Sequence, residues 1–377
     1  MLTQRILNYL ADYRKDGPVL VVDLEIVEKN FSSFREALPD THIYYAVKAN
    51  PAPEILRLLV QNGSSFDCAS VQEIQMVLNV GGDPAKISFG NTIKKQRDVA
   101  KAISLGVSLF AVDSVEEVRK IAQVAPGAKV FCRILTSGEG ADWPLSRKFG
   151  CTTEMAKNVL VEADRLGLHA YGVSFHVGSQ MSRTEAWDEA IGEAKGIFDA
   201  VAEHGVKLSL VNLGGGFPTR YLKDIPATAE YGRAIQEYLV KHFGDNIPET
   251  IIEPGRGMVG NAGVIRTEVV LISKKDESDF HNWVYLDIGK FNGLAETMEE
   301  AIRYPITSHR DMDAKMPCII AGPTCDSADV LYEKQMYELP ATLEIGDFLY
   351  VMSAGVYTST YSTVAFNGFE PLESIII

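Results

Sequence analysis

The hydrophobic and polar positions repeat one order from residue 40 to residue 256. A short apolar, β-prone run is followed by a polar or glycine turn and then by apolar residues at helical spacing. The strand candidates are Ile43–Lys48, Ser65–Ser70, Lys86–Asn91, Leu109–Asp113, Lys129–Ile134, Gly172–Gly178, Leu208–Leu213 and Thr250–Glu253. The helix candidates are Val71–Val80, Lys95–Leu105, Ser114–Val124, Glu154–Leu166, Glu185–His204 and Tyr231–Phe243. Eight such units predict an α/β fold, a closed parallel (β/α)8 barrel, with a doubly wound open sheet as the structural alternative.

The order changes after Arg256. Short β-prone runs separated by turns then dominate, and the strand candidates are Val264–Lys274, Trp283–Ile288, Cys318–Ala321, Phe348–Met352 and Val364–Phe366. We therefore expect a barrel domain at 25–260 and a mostly β domain at 261–377, to which residues 1–24 belong. The early run Val19–Asp23 could join either unit, and Leu2, Ile6, Leu7 and Leu10 predict an amphipathic helix at the start.

The net charge and the spacing of the cysteines limit the classes of ligand and partner that we expect the chain to bind. Fifty acidic residues against 36 basic ones give a net charge of −14, which disfavours nucleic acid and anionic membranes and suits a cationic small molecule. The five cysteines are scattered without a CxxC pair, and no HxH or HExxH pattern occurs, so no metal site is predicted. Without an 18-residue apolar run or a signal-peptide pattern, we expect a cytoplasmic protein.

Polar side chains follow every predicted barrel strand, where the active sites of such barrels lie. In strand order these positions are Lys48, the group Asp67 to Ser70, Asn91, Asp113, Arg133, His176, Gly214 to Gly216, and Glu253 to Arg256. Lys48 follows an apolar strand and precedes an Asn-Pro turn, so partial desolvation would make it a carbonyl nucleophile. A solvated lysine at a strand end is the alternative.

Two glycine-containing loops follow the seventh and eighth strands. Gly214–Gly216 can present backbone N–H groups to one anion, and Arg256 in Glu253-Pro254-Gly255-Arg256-Gly257 can grip a phosphate. A carboxylate beside a phosphate would be repelled, so Glu253 is expected to face a protonated ring nitrogen of the ligand, or else to pair with Arg256.

Other candidates lie in turns. His176 could stack on a planar ring, and Ser179 could donate a hydrogen bond to phosphate, although a lone histidine is often a core residue. Cys325 could transfer a proton while Asp326 holds a cationic group, but the same turn-rich segment could be purely structural. Tyr357 could add a phenol to the phosphate site.

The motifs YYAVKAN, FDCAS, SFHVGSQ, NLGGGFP, EPGRG and GPTCDSADV occur in one order along nearly the whole chain. In this respect the chain resembles the pyridoxal 5′-phosphate-dependent decarboxylases of basic amino acids (fold type III, alanine-racemase-like), especially the bacterial ornithine and ornithine/lysine branch. The resemblance implies decarboxylation of L-ornithine to putrescine for polyamine biosynthesis, with L-lysine giving cadaverine as a second activity. It also implies a homodimer with shared active sites.

The resemblance assigns a role to each matching residue. Lys48 would bind the cofactor covalently, His176 would stack on its ring, and Glu253 would pair with its ring nitrogen. The implied phosphate ligands are Ser179, Gly215, Gly216, Gly255, Arg256 and Tyr357, with Asp67 and Arg133 behind the cofactor. Cys325 would protonate the substrate carbon, Asp326 would bind the distal amine and Phe366 would contact the substrate, with Cys325 and Asp326 coming from the partner subunit.

Some positions depart from the family pattern. Val356 stands where relatives have alanine before the tyrosine, and the second acid for the distal amine could be Glu296, Glu299 or Glu300. Preference among ornithine, lysine and arginine therefore stays open. The functional alternatives are a diaminopimelate decarboxylase and a non-catalytic, cofactor-binding or regulatory homologue.

Overall fold

The computed structural model describes residues 2–143 and 148–377. Numbered along the chain, the strands are β1 Val19–Val22, β2 Thr41–Ala46, β3 Ser65–Cys68, β4 Ile87–Phe89, β5 Leu109–Val112, β6 Lys129–Arg133, β7 Ala141–Trp143, β8 His169–Ser174, β9 Ser179–Met181, β10 Leu210–Asn212, β11 Glu249–Ile252, β12 Gly263–Ser273, β13 Asn282–Leu286, β14 Ile306–Ser308, β15 Lys315–Ala321, β16 Val330–Pro340, β17 Phe348–Met352 and β18 Glu373–Ile376. The α-helices are α1 Gln4–Asp12, α2 Leu24–Ala37, α3 Pro53–Gln61, α4 Val71–Asn79, α5 Gln96–Ser104, α6 Val115–Val124, α7 Thr153–Arg165, α8 Glu185–Ala202, α9 Thr228–Phe243 and α10 Arg256–Val259.

Eight strands close into a parallel barrel, which confirms the predicted fold class. The strand order is β10-β11-β2-β3-β4-β5-β6-β8, and pairing of Thr250 with Thr41 between β11 and β2 completes the ring. Side chains that alternate inward along the strands, such as Tyr44, Phe131 and Leu210, fill the interior. Closure places the carboxyl ends of all eight strands on one rim.

The chain divides into two compact units. One comprises Glu28–Pro218 and Ile225–Met258 and contains the barrel; the other comprises Met1–Val27, Thr219–Asp224 and Val259–Ile377. The second unit holds a sheet of order β14-β17-β12-β13-β15-β16; β1 pairs with β12, and β18 pairs with β1. Val19 of β1 faces Arg266 of β12 on one side and Glu373 of β18 on the other. The early strand therefore belongs to this mostly β unit.

One predicted strand is wrong. Val364–Phe366 reads as β-prone, but Ala365 has φ 59° and a 3₁₀ turn follows at Phe366–Gly368. The left-handed backbone at Ala365 and Asn367 cannot continue a strand. The predicted N-terminal helix is present at Gln4–Asp12, and among residues 2–143 and 148–377 no helix is long and apolar enough to cross a membrane.

Candidate active site at the rim of the barrel

The barrel brings together five predicted site residues from five strands. Lys48 follows β2, Asp67 lies in β3, Arg133 ends β6, His176 follows β8 and Glu253 follows β11. Parallel pairing around the closed ring sets all five on the carboxyl-end rim. Electrostatic coupling connects them, since the charges of Lys48 and Arg133 influence the protonation of the other three.

Lys48 lies in a single 3₁₀ turn, Val47–Ala49, and its side chain is exposed. The sequence led us to expect partial desolvation there, so the structure differs on this point. The turn that carries the lysine is fixed from below, because the hydroxyl of Tyr45 donates a 2.8 Å hydrogen bond to the carbonyl of Asn50. An amine held on an ordered turn at the rim can reach a ligand above the barrel.

Two carboxylates face two cations at this rim. Burial raises the pKa of Asp67, while Lys48, a hydrogen bond from Ser88 and Arg133 lower it in part. Burial also raises the pKa of Glu253 to about 7, with Asp67 adding to the rise. Glu253 can therefore exchange a proton near neutral pH with a basic nitrogen placed against it.

His176 is held in its neutral form. Loss of hydration, together with the positive charges of Arg133 and Lys48, lowers its pKa to about 3. The hydroxyl of Thr136 donates a 2.7 Å hydrogen bond to the His176 carbonyl and so fixes the backbone at the end of β8. A neutral imidazole in a fixed position suits stacking on a planar ring that carries positive charge.

The glycine loop after β10 requires glycine for both conformation and space. Gly214 and Gly216 have φ of 66° and 108°. A Cβ on Gly214 would lie 1.9 Å from the carbonyl oxygen of Phe175, and one on Gly215 would lie 3.3 Å from Cε1 of His176. The backbone thus passes directly beside the histidine ring, close enough for its N–H groups to face a ligand there.

Asn212 is the site residue that the sequence analysis missed. Its Nδ2 donates a 2.5 Å hydrogen bond to Oε1 of Glu253, and its Oδ1 accepts from the N–H of Gly214 at 3.0 Å. One amide therefore orients both the carboxylate and the glycine loop. Its position immediately before Leu213-Gly214-Gly215-Gly216, at the end of an apolar strand, is the signal that could have identified it.

The remaining predicted phosphate ligands of the barrel unit lie in the adjoining segments. Gly255 follows Glu253 in the same loop, and Arg256, 5% exposed, begins the short helix α10. The N–H of Ala46 donates to the carbonyl of Pro254 at 3.2 Å, which ties this loop to the strand before Lys48. Ser179 begins β9, which pairs with β7, and the N–H of Met181 donates to the carbonyl of Gly216 at 2.9 Å.

The β unit gathers three further predicted residues. Cys325 and Asp326 are exposed in the turn between β15 and β16, and the N–H of Cys325 donates a 2.8 Å hydrogen bond to Oδ1 of Asn367. That bond joins the turn to the segment of Phe366, whose ring lies 5.0 Å from the ring of Phe291. A thiol, a carboxylate and an aromatic ring therefore share one neighbourhood of this unit.

Buried Asp329 organises the turn that carries Cys325 and Asp326. It is 2% exposed, and its carboxylate accepts hydrogen bonds from the N–H and hydroxyl of Thr324 and from the N–H of Lys290. The structure thus gives the second aspartate of GPTCDSAD a structural role. Tyr357, also in this unit, is half-buried with φ 51°, and its ring lies 5.7 Å from that of Tyr361.

Known proteins resemble this chain in sequence and in structure. Residues 24–260 match the family described as pyridoxal-dependent decarboxylase, pyridoxal binding domain. The chain belongs to the pyridoxal-dependent decarboxylases. It is 37% identical over 377 residues to a lysine/ornithine decarboxylase of Selenomonas ruminantium, an alignment that covers 100% of this chain and 93% of the relative.

Solved decarboxylases share the whole fold. The crystal structure of SrLDC in complex with PLP and cadaverine superposes with a TM-score of 0.89 at 35% identity, covering 100% of this chain and 94% of that one. The arginine decarboxylase of Paramecium bursaria Chlorella virus superposes with a TM-score of 0.90 at 28% identity, covering 99% of each chain. The relatives named here are thus decarboxylases of lysine, ornithine or arginine, whereas antizyme inhibitor 2 of Xenopus laevis is also 31% identical over 385 residues.

The rim fits the family's cofactor, pyridoxal 5′-phosphate. The glycine loop, in which a Cβ would not fit, lets the backbone at Gly215 and Gly216 approach a phosphate closely, and the neutral imidazole of His176 lies beside that loop. Glu253, with a pKa of about 7, matches a pyridine nitrogen that must stay protonated. The residues present therefore agree with the cofactor of the family.

Proposed function

We propose that this chain decarboxylates L-ornithine to putrescine and CO2 and accepts L-lysine, which gives cadaverine, as a second substrate. The observation that carries the proposal is the cluster of Lys48, Asp67, Arg133, His176 and Glu253 on one barrel rim, in a chain whose relatives act on lysine and ornithine. We place this activity in cytoplasmic polyamine biosynthesis.

When bound, pyridoxal phosphate supplies an electron sink for the electron pair left at Cα as CO2 departs. The Lys48 amine would hold the cofactor covalently. Glu253, oriented by Asn212, would keep the ring nitrogen protonated, and His176 would contact the ring without adding charge. Asp67 and Arg133 would balance the charge around the cofactor.

The phosphate is held by Ser179, Gly215, Gly216, Gly255, Arg256 and Tyr357 in this proposal. Three of these are glycines, so backbone N–H groups can approach the phosphate oxygens closely. Arg256 adds a guanidinium that is almost fully buried, and a charge-assisted bond is strongest in such a place. A firmly held phosphate fixes the orientation of the reacting bond relative to the ring.

The residues of the β unit handle the substrate. Cys325 donates its thiol proton to Cα, Asp326 binds the distal ammonium group and Phe366 supplies an apolar surface for the methylene chain. Among the three candidates for a second acid, Glu300 already accepts hydrogen bonds from the N–H groups of Glu333 and Gln335.

Of the other two, exposed Glu299 is paired with Lys334 at 2.5 Å, whereas Glu296 is 3% exposed. A buried carboxylate holds a cation more strongly than an exposed one, because water screens the attraction less. Glu296 is therefore our candidate for the second acid.

We also propose a homodimer with shared sites, in which each subunit's Cys325 and Asp326 complete the partner's barrel. Both residues are exposed in the single chain, and Val364 and Tyr361, which are 82% and 49% exposed, precede Asn367, the residue that Cys325 contacts. An exposed thiol, carboxylate and apolar patch in one unit indicate a surface that a second copy covers.

The test is a parallel amine-product assay. Protein reconstituted with pyridoxal phosphate is given ornithine, lysine, arginine or meso-diaminopimelate, and kcat/KM is compared, with Lys48→Ala as the inactive control. We expect putrescine to dominate and cadaverine to be second. Lysine produced from diaminopimelate, without diamine from ornithine, would instead establish a diaminopimelate decarboxylase. Bound cofactor with no product from any substrate would establish the non-catalytic homologue.

A further inference from the structure

Two buried thiols face each other in the barrel wall, outside the proposed catalytic residues. The Sγ atoms of Cys132 and Cys151 are 3.6 Å apart, and the residues are 0% and 4% exposed. Cys132 is the penultimate residue of β6, and Cys151 immediately precedes Thr152, the N-cap of α7.

Backbone hydrogen bonds hold the segment of Cys151 against the end of β6. The N–H of Cys151 donates to the carbonyl of Arg133 at 3.1 Å, and the N–H of Leu135 donates to the carbonyl of Cys151 at 2.9 Å. These bonds pair Cys151 with Ile134 in a parallel bridge, and Cys132 lies in β6, two residues before Ile134. A disulfide requires the sulfur atoms to approach to about 2.0 Å, so they must close by roughly 1.5 Å through rotation of the side chains and movement of the segments that carry them.

Such a movement would reach Arg133 along two routes. Its carbonyl accepts the hydrogen bond from Cys151, and its guanidinium lies 5.4 Å from the ring centre of Phe149, two residues before that cysteine. The N–H of Gly150 donates to Oδ2 of Asp113 at 2.9 Å, which prevents the segment from yielding freely. Arg133 is therefore the residue of the rim that a movement of Cys151 displaces first.

We propose that Cys132 and Cys151 are a thiol–disulfide pair, oxidised by peroxide, that weakens pyridoxal phosphate binding by displacing Arg133. One thiolate attacks the peroxide O–O bond and forms a sulfenic acid with release of hydroxide. The second thiolate attacks that sulfur and displaces a second hydroxide. Two thiols and one hydrogen peroxide thus give one disulfide and two waters, and a dithiol reductant restores the thiols.

The burial of Cys132 and Cys151 controls the rate at which peroxide oxidises them. The hydrogen bond to Cys151 and loss of hydration raise the pKa of the Cys132 thiol well above its ordinary value. Because the thiolate is the reactive form, oxidation is slow at neutral pH, and below that pKa its rate increases about ten-fold for each unit by which the pH is raised. Cys325, which is exposed, reacts with peroxide first and must be removed from the experiment.

The experiment uses full-length Cys325→Ser protein treated with hydrogen peroxide over a range of pH. Non-reducing peptide mapping is expected to find the peptides of Cys132 and Cys151 linked with a loss of two hydrogens, and cofactor-free protein is expected to bind pyridoxal phosphate several-fold more weakly. Dithiothreitol should reverse both changes. Adding Cys132→Ser or Cys151→Ala should abolish the link and the loss of affinity.

Cys68→Ser is the matched control, because Cys68 is equally buried but lies in β3. It should leave the link and its effect unchanged. A map in which Cys132 and Cys151 stay reduced, or are linked to other cysteines, would overturn the proposal. So would complete linkage without change in cofactor affinity. Neither readout involves turnover, so the result is independent of which amino acid the enzyme prefers.

Discussion

At the scale of single residues, the site at the barrel rim depends on pairs in which one residue positions the side chain of the other or shifts its pKa. Asn212 holds the carboxylate of Glu253, and Ser88 holds that of Asp67 at 3.2 Å. Lys48 and Arg133 oppose the rise in pKa that burial imposes on both acids. The sequence motifs identified Lys48 and Glu253. Asn212 lies beside Glu253, and Ser88 beside Asp67, only because the barrel is folded.

The pKa of Glu253 predicts how cofactor binding depends on pH. Above pH about 7 the side chain is a carboxylate that can pair with a protonated ring nitrogen, and below it the side chain is neutral. In Lys48→Ala protein the pKa of Glu253 lies higher, because the charge of Lys48 lowers it in the unchanged protein. Non-covalent affinity for pyridoxal phosphate, measured by equilibrium dialysis with Lys48→Ala protein, should rise about ten-fold as the pH is raised through that higher pKa. In Lys48→Ala/Glu253→Gln protein the rise should be lost; an equal rise in both proteins would contradict the assignment.

Gly90 provides a steric test of Asp67. A Cβ at residue 90 would lie 1.8 Å from Oδ1 of Asp67, so Gly90→Ala must displace that carboxylate. We expect a destabilisation of about 1–3 kcal/mol and weaker cofactor binding, measured by thermal unfolding and dialysis.

Gly196→Ala is the control for that substitution. Residue 196 lies in α8 with nothing within 4 Å of a new Cβ, so alanine should stabilise the helix by about 0.5–1 kcal/mol. Unchanged cofactor affinity in Gly90→Ala protein would show that the rim does not depend on the position of Asp67.

At the scale of elements, two helices after barrel strands begin with the same signal. Ser70-Val-Gln-Glu73 spans the start of α4 and Ser114-Val-Glu-Glu117 the start of α6, and each N-cap serine hydroxyl accepts the N–H of the glutamate three residues later. The glutamates then differ: Glu73 accepts from the N–H of Ala69, whereas Glu117 pairs with buried Lys94 at 3.1 Å. The sequence predicts the helix start but not the long-range partner.

Loss of the cap at α6 should cost stability. Ser114→Ala removes the acceptor for the N–H of Glu117, and we expect a loss of about 1 kcal/mol in the free energy of unfolding. Ser33→Ala in α2 is the control, because the Ser33 hydroxyl only donates an exposed hydrogen bond to the carbonyl of Lys29 within the same helix. Its effect should stay within about 0.5 kcal/mol. Equal thermal shifts for the two variants would show that the cap contributes nothing.

Elements of the β unit were harder to predict than those of the barrel. The eight barrel strands and the helices between them were recovered almost throughout, because buried parallel strands are apolar along their length. β16 was missed, since its middle residues Glu333, Lys334 and Gln335 are exposed and polar. The helices α2 and α3 were also missed.

At the scale of the whole molecule, a shared-site dimer makes a quantitative prediction. Lys48→Ala and Cys325→Ala subunits are each expected to be inactive alone. After mixing and re-association, half of the dimers are mixed and each has one intact site, so about one quarter of the wild-type activity should return. No recovery, although subunit exchange is demonstrated by mass, would show that each subunit uses its own Cys325.

The sequence by itself determined the eight-fold strand and helix order, the positions of Lys48 and Glu253 at strand ends, and the family motifs. These features depend on local periodicity and on neighbouring residues, which a linear chain records directly. The tertiary structure decided that β11 pairs with β2, that β1 lies between β12 and β18, and that Asn212 and Asp329 hold the site loops. Those contacts join residues distant in sequence, and only closure of the barrel and the sheet selects them from the many pairings that the same pattern allows.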